Sequence, residues 1–140
     1  RQITLMALTE EQKKSMLESL KFGNQLSHER DFTRVKKESP KFCKEVVSGL
    51  ISCLEPNSER PQSAWSAKFQ ADLGYYAAPF GHPFTINCTA WLYMEKQDCN
   101  VEYAYTDDTR IAYKFGLHEL PPQEFIAFDK GLRSKIDAGR

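Results

Sequence analysis

Four cysteines, Cys43, Cys53, Cys88 and Cys99, are the residues best able to do chemistry in this chain. They form an even set with no C-x-x-C and no close Cys/His pair, so neither a zinc knuckle nor a thioredoxin-type redox motif is present. Two structural disulfides are the expected use, and that use places the protein in an oxidising, extracytoplasmic compartment, secreted or periplasmic. The apolar positions Phe42, Val46, Val47, Leu50, Cys53 and Leu54 follow a helical period. On one unbroken helix, Cys43 and Cys53 would stand about 15 Å apart along the axis. Disulfide geometry requires Cα atoms within about 7 Å. The expectation is therefore that each bonds to the sheet half, at Cys88 or Cys99, unless Gly49 breaks the helix.

The remaining chemical candidates are sparse. His28, His82 and His118 lie far apart and belong to no H-x-H or H-E-x-x-H spacing that would place two imidazoles on one metal. His82, in Phe80-Gly81-His82-Pro83, stands next to an aromatic cluster and reads as a loop residue. Asp107-Asp108 are adjacent carboxylates, but consecutive side chains diverge and Asp is favoured in turns for its local hydrogen bonds. There is no G-x-S-x-G elbow, no G-x-G-x-x-G and no phosphate loop, so no catalytic residue, metal ligand or cofactor is assigned. Asn87-Cys88-Thr89 matches the glycosylation triplet, a short pattern that arises often by chance. The unusual feature is aromatic. Trp91 and Tyr93 share a strand face by their spacing of two, with Tyr103, Tyr105 and Tyr113 in neighbouring strands. Tyr and Trp on an exposed face dominate partner hot spots, so Trp91, Tyr93, Tyr103 and Tyr105 are the expected partner-binding residues.

The elements that must position these residues can be read along the chain. Thr9 with Gln12 makes a capping box ahead of Met16, Leu17 and Leu20, and Gly23-Asn24 stops that helix with room for a second helical segment through Leu26 and Phe32. Ser39-Pro40 reads as the start of a further helix ending at Pro56. Residues 63–76 fit both a helix and a strand, with strict alternation from Trp65 to Tyr75 favouring the strand. Phe84 to Met94, Val101 to Tyr105 and Ile111 to Phe115 form an antiparallel meander, with Glu95 to Cys99 as a turn. Pro121-Pro122-Gln123-Glu124 enters a last helix with Phe125, Ile126, Phe128, Leu132 and Ile136 as its apolar stripe, closed by Gly139.

The predicted fold is thus α+β: N-terminal helices, an antiparallel β-meander of three to four strands and a C-terminal helix. This order resembles cystatin-like and NTF2-like domains in outline, although no motif of either stands in these residues, and an outline carries no function. With 140 residues, 41% hydrophobic and 12% aromatic, the chain has the size and composition of one folded domain over 1–140.

Nineteen basic residues balance nineteen acidic ones, which excludes a global field for nucleic acid or an anionic membrane. The local run Arg34, Lys36, Lys37, Lys41 and Lys44, interrupted by Glu38 and Glu45, reads as a solvated face. The longest nearly apolar stretch, Val46 to Leu54, is far short of a bilayer span. A start at Arg1 without methionine suggests that a signal or anchor was removed. These features together favour an extracytoplasmic protein-binding module, such as an inhibitor, an immunity protein or an assembly subunit, acting through a sheet face or loops. The alternative is a small enzyme or ligand carrier with a pocket between helices and a curved sheet.

Overall fold

The computed structural model describes residues 9–56, 61–91 and 96–139. Helices α1 (Glu10–Phe22) and α2 (Gln25–Glu38) lead into six strands, β1 (Cys43–Val47), β2 (Leu50–Pro56), β3 (Ala64–Ala71), β4 (Thr85–Trp91), β5 (Lys96–Ala104) and β6 (Arg110–Gly116), followed by helix α3 (Phe125–Ala138). The strands form one antiparallel sheet in sequence order. The α+β class and the placement of helices at both ends match the sequence reading; the sheet has more strands than expected.

The additional strands come from the segment read as a helix over 40–54. Pro40 opens only a short 3-10 turn, Pro40–Phe42, and Ser48-Gly49 then turns the chain between β1 and β2, with Val47 opposite Leu50. Gly49 sits at φ +76°, and a Cβ there would run into the Tyr75 ring. Only glycine serves at that turn. The apolar spacing was misleading because β2 is buried on both faces: Leu50 packs in one core and Cys53 in another, and inward residues on both faces imitate a helical period. Residues 64–71 are a strand, as the alternation favoured. The expected turn at Glu95 to Cys99 is corrected as well: Cys99 lies within β5, opposite Cys88. Residues 92–95, Tyr93 among them, lie outside the described part.

The sheet therefore has two clothed faces. On one, α3 covers a core of Leu50, Phe69, Phe84, Ile86, Val101, Tyr103, Ile111 and Phe125. On the other, α2 covers a smaller core of Phe32, Val35 and Cys53. Each face carries one disulfide. Cys43–Cys53 joins β1 to β2 and Cys88–Cys99 joins β4 to β5, each between cross-strand partners with Cα atoms 4.0 Å apart. The expected helix-to-sheet bridges are thus replaced by two strand-to-strand bridges, because both cysteine pairs stand directly opposite in the sheet register. Disulfides of this kind persist in oxidising environments. Among the described residues, no helix is long and apolar enough to cross a membrane.

At the chain's entry the capping box forms as read: Gln12 N–H donates to Thr9 Oγ1 at 3.1 Å and Thr9 N–H to Gln12 Oε1 at 2.9 Å.

Candidate functional site

Of the four aromatic residues expected to share one partner surface, Tyr93 lies outside the described residues, and Trp91 and Tyr103 lie on opposite faces of the sheet. Ile86 stands opposite Val101, so Tyr103 on β5 faces α3, whereas Trp91 shares the opposite face with Asn87 and Thr89. Tyr103 is buried, 2% exposed. Tyr105, just beyond β5, is half-buried and its hydroxyl donates to both Asp137 oxygens of α3, at 2.7 and 2.8 Å. Trp91 is half-buried at the end of β4. The opposite register parity of Trp91 and Tyr103 keeps them from joining into one patch.

What the tyrosines build instead is a polar lock beneath α3. Asp129 occupies an inward position of the helix, one turn after Phe125, and is fully buried. Its Oδ2 accepts from Tyr76 at 2.6 Å and from Tyr103 at 2.7 Å and forms an ion pair with Arg133 Nε at 3.0 Å, and its Oδ1 accepts from Tyr113 at 2.8 Å. Arg133 also donates to the Tyr103 hydroxyl and to the Ala77 carbonyl, and its guanidinium lies over the Tyr76 and Tyr103 rings. Burial pushes all three tyrosine hydroxyls far above their ordinary range, and the neighbouring Asp129 carboxylate adds to the effect. These bonds fix α3 on the sheet. The sequence missed Asp129 and Arg133, although the signal was present: Asp129 falls at i+4 from Phe125 inside the apolar stripe, where a carboxylate needs buried donors.

The second polar layer lies between α2 and the sheet. Lys68, 5% exposed, meets Asp31 Oδ2 at 3.0 Å and Asn87 Oδ1 at 3.3 Å. Burial pushes the Asp31 carboxyl up, but hydrogen bonds from Arg34 and Lys68 outweigh that and hold it below the usual carboxylate range. His28 is held below its ordinary range, chiefly by burial, with Glu102 opposing and Lys68 reinforcing. His82 Nδ1 stands 2.8 Å from Glu29 Oε1 and its ring packs on Phe22, which clips the loop before β4 to both N-terminal helices. Within the basic run, Arg34 bonds Asp31, Glu38 and Glu55. Asp107 pairs with Lys21, and Asp108 accepts from Thr106 and Thr109 within the β5–β6 turn, as expected of turn residues. Among the described residues no group of His, Cys, Asp and Glu could hold a metal ion.

Helix α1 departs most from what its pattern promised. None of its thirteen residues is buried. Met16, Leu17 and Leu20 are 37%, 63% and 69% exposed. Among the described residues the helix is anchored toward its C-terminal end, where Arg110 donates to the Leu20 carbonyl, Lys21 reaches Asp107 and sits 3.9 Å over the Phe80 ring, and the Asn24 N–H donates to Glu102. Leu17 lines two open grooves, one of about 410 Å³ against the β5–β6 turn and one of about 490 Å³ edged by Glu10, Lys13, Lys14, Glu18 and Lys21. Comparison of the chain with protein-family models, with curated proteins and with solved structures finds no match to any of the three.

Proposed function

We propose that this chain is an extracytoplasmic protein-binding module, of the inhibitor, immunity-protein or assembly-subunit kind, that engages its partner through the outer face of α1. One observation carries the reading: α1 holds Leu17 and Leu20 in water on a helix fixed to the body at one end. A helix with a leucine pair facing outward has the anchor geometry of helix-mediated recognition. Exposed apolar side chains grouped this way on a monomer mark contact sites. Lys13, Lys14 and Lys21 stand beside Glu10 and Glu18 around this groove, so the complementary surface is an apolar ridge with charges of both signs at its rim. The two disulfides support the extracytoplasmic setting.

The rival, an enzyme or carrier with a pocket between helix and sheet, finds less support. The space under α3 is filled by Phe69, Phe84, Tyr103 and Phe125, which meet edge to face.

The test uses a partner captured from the native compartment and then titrated by calorimetry. Leu17→Asp and Leu20→Asp should each weaken binding by about 2 kcal/mol or more, the scale of a hot-spot residue. Thermal stability should stay near wild type, because both side chains already stand in water. Unchanged affinity in both variants would remove α1 from the interface.

A further inference from the structure

Two buried polar atoms on the inner side of α2 have no partner among the described residues. Gln25 is 3% exposed, and its Oε1 accepts the Ala104 N–H of β5 at 2.8 Å. The Ala104 N–H needs an acceptor, so this bond decides which end of the amide is oxygen and leaves Nε2 as the free end. Glu29 stands one turn later, with its Oε1 2.8 Å from His82 Nδ1. Gln25 Nε2 and Glu29 Oε2 are the atoms left over, both buried and neither hydrogen-bonded. Side chains four residues apart on a helix are neighbours, their Cβ atoms about 5–6 Å apart. The two atoms nevertheless form no bond to one another. Each side chain is held through its other atom, Gln25 by β5 and Glu29 by the loop before β4.

We infer that one internal water molecule bridges Gln25 Nε2 and Glu29 Oε2. An amide nitrogen only donates and a carboxylate oxygen only accepts, so the bridging group must accept from the first and donate to the second. Water does both. A cation would face the N–H dipoles of Gln25, and an anion would face the Glu29 carboxylate, so each is repelled by one side of the site. Buried polar groups are commonly completed by a water with about two to four polar partners. The bridge closes a chain that runs from the Ala104 N–H to Gln25, through the water to Glu29, and on to His82. It thereby links β5 and α2 to the loop Pro79-Phe80-Gly81-His82. That loop needs bracing. Phe80 is held at φ +64°, a left-handed conformation that bulky side chains rarely adopt and that persists only where the surroundings over-determine it. The Ala77–Pro83 bridge, the Ala78 N–H donating to the His82 carbonyl and Lys21 lying 3.9 Å over the Phe80 ring supply part of that constraint. The water-completed chain supplies the rest through His82.

The experiment uses the full disulfide-bonded chain. A crystal structure that resolves ordered solvent should show one solvent peak within about 2.7–3.2 Å of both Gln25 Nε2 and Glu29 Oε2. A direct bond between the two atoms, another protein partner for either, or either side chain turned out to bulk water would overturn the inference. In solution, with nitrogen-15 labelling, the Gln25 side-chain amide is assigned by its loss in Gln25→Glu. It should show a cross-relaxation peak to water of the sign that marks a bound molecule, and absence of that peak would count against the bridge. Glu29→Leu removes the acceptor and should reduce the peak at least tenfold. A peak undiminished in that folded variant would overturn Glu29 as the second partner. Should Glu29→Leu fail to fold, the wild-type crystal structure decides.

Discussion

Replacing Tyr113 by Phe is expected to cost more stability than replacing Tyr76, although both hydroxyls donate to the same buried carboxylate. The difference lies in how the two oxygens of Asp129 are shared. Oδ2 accepts from Tyr76 and Tyr103 and is ion-paired with Arg133, whereas among the described residues Oδ1 accepts from Tyr113 alone. Tyr76→Phe removes one of two donors and leaves Oδ2 with the Tyr103 hydrogen bond and the Arg133 ion pair, for a loss of about 1 kcal/mol. Tyr113→Phe strips the one donor from Oδ1 of a carboxylate with no solvent exposure, and leaving a charged acceptor unpaired costs about 3 kcal/mol. Packing is conserved in both variants, since the Phe ring retains the contacts of Tyr113 with Phe115 and Phe128 and those of Tyr76 with Phe84. Urea denaturation measures the outcome as a shift in midpoint at unchanged slope. If Tyr76→Phe proved as costly as Tyr113→Phe, the division of donors between the two oxygens would be refuted.

Three further outcomes follow from the same structure. Because burial beside Asp129 raises the folded-state values of Tyr76, Tyr103 and Tyr113 above those of the unfolded chain, their contribution is fully present below about pH 10 and is lost as pH rises beyond it; ultraviolet titration should show these hydroxyls ionising only with unfolding. His28 has the opposite sign: its folded value lies below the unfolded one, so stability declines as pH falls from about 6.5, and His28→Gln should flatten that decline in thermal melts. Cys88→Ser with Cys99→Ser should cost about 3 kcal/mol in the chain-entropy account for a sequence separation of 11, measured by chemical denaturation, and non-reducing peptide mapping of the wild type should yield Cys43–Cys53 and Cys88–Cys99 as the bridges.

Where one physical signal dominated, the sequence was legible. The Thr9/Gln12 capping box, the alternation from Phe84 into β4 and the proline entry to α3 each depend on local chemistry, and each formed. The β1–β2 hairpin was not legible because its decisive residue, Gly49, lies amid apolar positions whose spacing suits a helix, and only the presence of β3 and Tyr75 makes a turn there preferable. That misreading carried the disulfide connectivity with it, since cross-strand pairing exists only once both cysteines lie in strands. The candidate surfaces were harder still. Trp91 and Tyr103 have the same residue chemistry, and their separation onto opposite faces depends on a register that a single chain segment does not reveal. Met16, Leu17 and Leu20 share one face of the helix in the sequence, which does not tell whether that face is covered; that Leu17 and Leu20 remain exposed goes with α1 being anchored through Leu20, Lys21 and Asn24.

Amide hydrogen exchange of the full chain, with and without the partner captured from the native compartment, tests the docking role of α1 most directly. Partner binding should slow exchange across residues 13–21, with little change in α3, and Leu17→Asp should abolish that protection. Protection confined to other elements while α1 exchanges at its free rate would contradict the account.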